Sequence, residues 1–308
     1  MQNAKYILAP LLGLVIFLPI ISLAIYFIAQ GDFSMVHMQQ TEAWLYFKNT
    51  SGVLVGSAVL VLILGISTAF LSARFSYTGS RFFKIAFVLP LAFPAYIMGY
   101  TYVGFFEFRG ILSSLLSLGS FKLDILNIYG VVSILSFAMF PYVYILARVS
   151  FASISSTVVE LVSIKRLSPV RAFLSVYLPL AYPAIFAGLL LSMMEVLSDY
   201  GTVAYFGVET FSVGIFKSWF GYGNLGEAIN LSVIMLVFVF AIVYLESFLR
   251  AKYRFISSTH SSQKAPLWVL HGWKNGVAFS LSLLIMTLTL VIPLGVLGYW
   301  LYLDRHSL

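Results

Sequence analysis

Seven stretches of mostly apolar residues, each long enough to cross a bilayer, recur along the chain near 6–29, 52–73, 85–106, 128–147, 178–200, 230–249 and 277–303. A helix needs about 20 such residues to span the hydrocarbon layer. In lipid every backbone polar group must find its partner within the protein, which a helix does within its own length. The pattern therefore predicts an all-α fold, a polytopic membrane bundle of about seven transmembrane helices. Composition agrees, with 61% hydrophobic and 9% charged residues against about 25% charged in a soluble domain. The first stretch follows a single Lys5 and has no clear small-x-small cleavage site, so it reads as an uncleaved span rather than a signal peptide.

The basic residues orient the spans. Lys5, Arg74, Arg81, Lys84, Arg148, Lys165, Arg166, Arg171, Arg250, Lys252, Arg254, Lys264 and Lys274 fall at the N-terminus and in alternate loops, 13 of the 18 in the chain. The opposite loops carry Lys48, Arg109, Lys122, Lys217 and Arg305 beside Asp32, Glu42, Asp124, Glu209 and Glu227. By the positive-inside rule the N-terminus is cytoplasmic and the C-terminus lies on the outer side. The net charge of +7 is thus a topology signal, and no nucleic-acid surface is expected. The chain has no cysteine, and its histidines, His37, His260, His271 and His306, are scattered. No thiolate or histidine metal centre, catalytic nucleophile or nucleotide-binding glycine loop is present in the sequence. A chain of this kind moves something rather than converting it, with no catalytic residue and no bound cofactor expected.

The last span resembles the first. VIPLGVLGYW (291–300) and FLPIISLAIYF (17–27) each place Pro, then Leu four residues on, then an aromatic three further: Pro19, Leu23, Tyr26 and Pro293, Leu297, Trp300. Internal repeats are common among transporters, and the match suggests that a second copy begins near the seventh span.

Between the fourth and fifth spans, 149–177 is long for a connection. Ser168-Pro169 supplies an N-cap residue and a proline suited to the first helical position. The segment reads as two short helices with a corner between them on the cytoplasmic face, either packed on a partner or lying in the interface as an amphipathic helix with snorkelling Lys and Arg.

These residues also resemble the cytoplasmic signature of the permease subunits of bacterial ABC importers: Glu-Ala-Ala, three residues, Gly, nine residues, an aliphatic, one residue, Leu-Pro. Glu160, Val176, Leu178 and Pro179 stand at the matching positions, and Ser168-Pro169 and Arg171-Ala-Phe173 are similar to an inner part of it. Leu161 and Val162 replace the two alanines. Arg166 replaces the glycine, and Arg is a poor choice where a left-handed turn is needed. LPLAFPAYIMGYTYVGF (89–105), FPYVYILARVSF (140–151) and LSDYGTVAYFGVETFSVGIFKSWFGYGN (197–224) resemble the ferric-iron branch, whose permeases carry two homologous halves in one chain.

The resemblance implies a type I importer permease: a first span and outer loop in 1–51, a permease core in 52–250 and, in 251–308, a cytoplasmic linker with the seventh span opening a second copy. It implies that Glu160, Leu161, Val162, Arg166, Ser168, Pro169, Arg171 and Pro179 belong to a coupling segment that docks on two separate ATPase subunits. ATP and Mg²⁺ would be used there and not by this chain. It further implies a periplasmic substrate-binding protein outside, a second permease half or copy beside this one, and a bacterial inner-membrane location among lipid.

Glu195 and Asp199 are four apart in the fifth span and share a face. Counted from Pro183 at ~1.5 Å per residue they stand ~18 and ~24 Å up the helix. Acidic residues at such depth usually serve function, and otherwise face water or cap loops. Pro90, Pro94, Pro141, Pro179 and Pro183 suggest kinked helices around a path. Tyr96, Tyr100, Tyr142, Tyr144 and Tyr200 are candidates to line it, or to form an interfacial belt. Carboxylate and phenol oxygens suit a hard cation such as ferric iron, without a tight metal site. The aromatic outer loop 201–229 reads as a docking surface for a binding protein or as a re-entrant gate. Thiamine, polyamine and sulfate are rival cargoes. A seven-span sensor and a truncated, inactive permease are rival identities.

Overall fold

The computed structural model describes residues 40–106, 124–253 and 266–307, together with Val15, 17–23, 25–26 and 28–29. Half of the first expected span lies outside the described residues, as do Lys5, Asp32, Arg109, Lys122, Arg254 and Lys264 of the charge pattern.

In chain order the helices are α1 (Gln40–Arg74), α2 (Ser80–Ala86), α3 (Ala95–Phe106), α4 (Ile128–Ala152) and α5 (Ser156–Ile164). They continue with α6 (Pro169–Ser198), α7 (Gly201–Tyr205), α8 (Phe211–Phe216), α9 (Leu225–Tyr253) and α10 (Trp273–Asp304). Two short strands, β1 (Phe75–Ser76) and β2 (Trp268–Val269), pair in parallel. Among the described residues five helices are long and apolar enough to cross a membrane, or six segments if a bent pair counts as one. The protein is an all-α, multi-pass membrane protein.

The third expected span is not one straight helix. Ser80–Ala92 and Ala95–Phe106 meet at 100°. Leu89–Ala92 is a tight 3₁₀ turn with Pro90 in its first positions, and Phe93 is extended at φ −102°, ψ 124°. A residue before proline is driven out of the helical region, so Pro94 forces the corner at Phe93.

The expected second short helix of the cytoplasmic segment is also revised. From Pro169 the chain runs on as a single helix to Ser198. Just before Pro179, one of the prolines expected to kink a helix, the helix opens into a π-turn over Phe173–Tyr177, closed by the Leu178 N–H on the carbonyl of Phe173. Proline clashes with the carbonyl four residues back, and the wider turn makes room for it. α10 repeats the arrangement, with a π-turn over Thr287–Val291 two residues before Pro293.

The residues divide into two compact units, Ser51–Val208 with Ala241–Leu308, and Met1–Thr50 with Glu209–Phe240. In the first, α4 lies along α6 at close range. A Cβ on Gly188 would stand 2.7 Å from the Cα of Val143 and 2.8 Å from the carbonyl oxygen of Tyr142, so only glycine permits that approach. Small residues at helix contacts are the usual device where no hydrophobic force drives helices together in lipid. An aromatic cluster closes the end of the bundle at which α1 finishes and α6 begins: the Phe70 ring lies 4.7 Å from Phe173, 5.2 Å from Phe151 and 5.6 Å from Tyr177. In the second unit Tyr46, Phe211 and Leu231 form a small buried core. The Thr50 hydroxyl accepts from the Phe211 N–H at 3.1 Å, the Asn49 amide donates to the carbonyl of Glu209 at 2.9 Å, and Lys217 pairs with Glu209.

Candidate functional site: a polar cavity and a capped helical segment

The corner between α2 and α3, the middle of α4 and the end of α6 enclose a cavity of about 460 Å³. Phe93, Pro94 and Tyr96 come from the corner, Met139 and Tyr142 from α4, and Glu195, Ser198, Asp199 and Tyr200 from the end of α6. The structure thus brings together five of the sequence-predicted path residues, Tyr96, Tyr142, Glu195, Asp199 and Tyr200. It does not bring Tyr100 or Tyr144 there. The Tyr100 ring packs 5.1 Å from Trp300 and 5.7 Å from Tyr205. Tyr144 is fully buried, its hydroxyl donating to the carbonyl of Lys84 at 3.0 Å. Neither lines this cavity.

The two carboxylates do different work. Asp199 caps α7: it accepts from the N–H groups of Thr202 at 2.9 Å and Val203 at 3.2 Å and from the Thr202 hydroxyl at 2.9 Å. An acidic cap at a helix start satisfies donors that have no partner in the helix. Glu195 is exposed to the cavity, and among the described residues no hydrogen bond holds its carboxylate. Among the described residues no Lys, Arg or His lines the cavity, and no cluster of three or more metal-ligating side chains occurs. The cavity offers oxygen atoms and negative charge without a closed coordination shell.

Sequence reasoning missed Phe93, Pro94, Met139 and Ser198 as walls. The signal for the first two was present in the paired prolines around Phe93. Met139 carries no such mark.

The segment 155–171 is well capped. Ser155 accepts from the Val158 N–H and Ser168 from the Arg171 N–H, each at 3.4 Å, with Pro169 at the first helical positions. α5 ends in a Schellman turn, Arg166 N–H to the carbonyl of Ser163 and Leu167 N–H to that of Val162. Its left-handed residue is Arg166, at φ 48°, the one non-glycine with positive φ among the described residues. Val158, Val159, Val162 and Leu167 pack toward the core. Glu160, Leu161, Ile164, Arg166, Val170 and Arg171 face outward, with Ile164 76% and Val170 68% exposed. Of the named coupling residues, Val162 therefore faces the core, and Pro179 sits inside α6.

The family described as "Binding-protein-dependent transport system inner membrane component" matches residues 61–253. The chain belongs to this family. It is a permease subunit of the ABC importer type. The permease is 26% identical over 255 residues to the Fe(3+)-transport system permease protein FbpB 2 of Haemophilus influenzae, a match covering 82% of this chain and 47% of that protein. The permease thus spans about half the length of that relative. It is also 26% identical over 204 residues to the probable sulfate transport system permease protein cysT of Chlorella vulgaris, covering 64% of this chain and 76% of that one. Among solved structures it is similar to a bacterial alginate ABC transporter in complex with an alginate pentasaccharide-bound periplasmic protein, with TM-score 0.64, 17% identity and 84% and 98% of the two chains covered. It is also similar to the MetNI methionine ABC transporter in an inward-facing conformation, with TM-score 0.51, 13% identity and 71% and 100% covered. At these identities the solved structures establish the shared fold and nothing about cargo.

Proposed function

We propose that the permease is the membrane-spanning part of an ATP-driven importer that takes ferric iron, or a small ferric complex, from a periplasmic binding protein to the bacterial cytoplasm. In this reading the chain lies in the inner membrane with its N-terminus cytoplasmic and acts as one half of a two-half transmembrane domain, its seventh span opening a second copy. The outward face of α5 and the start of α6, with Glu160, Leu161, Arg166 and Arg171, docks on the ATPases. Those separate subunits hydrolyse ATP.

The observation that carries the cargo assignment is the cavity. Glu195, with Tyr96, Tyr142 and Tyr200, presents oxygen donors beside the capping carboxylate of Asp199, and among the described residues no cationic side chain lines the cavity, which favours a hard cation and opposes an oxyanion such as sulfate or molybdate. Similarity over most of the chain to an Fe(3+) permease supports the same reading. Similarity to a sulfate and a molybdenum permease makes oxyanions the rival. Reconstitution in liposomes with ATPase subunits and the binding protein that co-purify with it, followed by uptake of labelled ferric citrate, sulfate and molybdate, tests the assignment. Iron alone should accumulate with ATP. Accumulation of an oxyanion in its place overturns the cargo, and no ATPase association in native mass spectrometry overturns the permease assembly.

A further inference from the structure

Arg74, the last residue of α1, is 1% exposed. Among the described residues it has no ion-pair partner, and its Nε and Nη2 have no hydrogen bond. Its guanidinium carbon lies 5.7 Å from the ring centre of Tyr177 and 5.2 Å from that of Trp268. Those rings meet edge to face at 5.7 Å. Tyr177 is itself 1% exposed, with its hydroxyl unpartnered.

A buried charge held this way does not serve stability. Desolvating an ion is costly, and replacing such a group by an apolar residue of similar size is often neutral or stabilising. Cation–π attraction recovers part of that cost and is directional. The three residues come from three segments. Arg74 ends α1, Tyr177 closes the π-turn at the base of α6, and Trp268 stands in the lead-in to α10. That lead-in is fastened to the segment after α1 by further bonds. β2 pairs with β1, the Leu270 N–H donates to the carbonyl of Ser76 at 3.0 Å, and Asn275 both accepts from the Thr78 N–H and donates to its hydroxyl, each at 2.9 Å. Trp268 also lies outside the family match, which ends at residue 253.

We infer that Arg74 is a positioning residue for coupling: by clamping Tyr177 and Trp268 it makes the base of α6 and the lead-in to α10 move as one body when the ATPases close. The inference rests on the permease reading above. α6 is continuous with the outward-facing start of the docking segment at Val170, so displacement there reaches the π-turn first. With the clamp intact, that displacement passes to α10 as well as along α6. Without it, the lead-in keeps its bonds to the segment after α1 and the Tyr177–Trp268 ring contact, and that contact is too weak alone to stop α6 moving past it.

The chain has no cysteine, so paired spin labels report cleanly. Labels on Leu174→Cys and Val269→Cys, both at exposed positions and outside the named docking residues, measure the distance between the base of α6 and the lead-in. The measurement is made in the complex with its ATPase subunits, nucleotide-free and trapped with ATP and vanadate. In the otherwise unmodified protein the distance should stay constant within about 2 Å, the scale of a small helix shift. In Arg74→Met, which keeps the volume and removes the charge, it should change with nucleotide by more than that, while thermal stability is retained. Arg74→Lys, lacking the flat stacking surface, should behave as Arg74→Met. A nucleotide-dependent shift in the unmodified protein, or a constant distance in Arg74→Met, overturns the proposal alone. Failure of the ATPase subunits to bind the unmodified chain overturns the permease reading and this proposal with it.

Discussion

The Ser192 hydroxyl on α6 lies 3.1 Å from the carbonyl oxygen of Met139 on α4 and 2.9 Å from that of Gly188 in its own helix. The contact is possible because Gly188 brings the two backbones together one turn earlier, and it sits beside the cavity that Met139 lines. Helix approach and cavity shape are therefore set by the same few small residues.

Gly188→Ala should destabilise the permease by about 1–3 kcal/mol, the range for overpacking a tight contact, because the added Cβ meets backbone that cannot swing aside. Gly276→Ala, in α10 with open space around the site, should be neutral or stabilising by up to about 1 kcal/mol. Thermal unfolding in detergent distinguishes them. Equal midpoints would show that α4 and α6 pack more loosely than the structure has them.

Arg166→Gly should stabilise the protein by up to about 1 kcal/mol, since a left-handed conformation costs a side-chain-bearing residue roughly 1–2 kcal/mol and glycine gives some of that gain back through its freer unfolded chain. Arg166→Val should destabilise. A lower unfolding midpoint for the glycine variant would mean that the Arg166 side chain contributes contacts outweighing its backbone strain.

Glu195 and Asp199 should separate by assay. Asp199→Ala removes the cap of α7 and should cost about 1 kcal/mol of stability. Glu195→Ala should leave the unfolding midpoint within about 0.5 kcal/mol, as expected for an exposed side chain away from special features, and reduce uptake. Loss of assembly in Glu195→Ala would make that residue structural.

Glu160→Lys should leave folding intact, because Glu160 is exposed on α5, and should uncouple ATP hydrolysis from uptake. Unchanged uptake with this charge reversed would remove Glu160 from the coupling contact.

Sequence reading placed the apolar segments, since a run of 20 apolar residues has few alternatives in lipid. It placed the Ser168-Pro169 cap, because capping depends on residues three apart. It also anticipated that residue 166 is where a left-handed turn belongs. It expected two short helices in 149–177 and a separate span from 178, whereas a π-turn just before Pro179 joins Pro169–Ser198 into one helix. It treated Arg74 as one more flanking charge. Its aromatic partners stand at 177 and 268, and no local pattern connects residues so far apart. Tyr100 and Tyr142 look alike in sequence; only the corner at Phe93 decides that Tyr142 meets the cavity and Tyr100 meets Trp300.

The π-turn over Phe173–Tyr177 stores one residue more than an α-helix needs for the same length. Such a surplus can pass along a helix one hydrogen bond at a time. Each residue of an α-helix turns it by about 100°, so moving the surplus past a given point rotates that point with little net loss of bonds. α6 carries the surplus between the cytoplasmic segment and Glu195, and α10 carries a second one before Pro293. Two rods of the same bundle thus contain a built-in swivel, and a push at one end of either can emerge at the other as a twist.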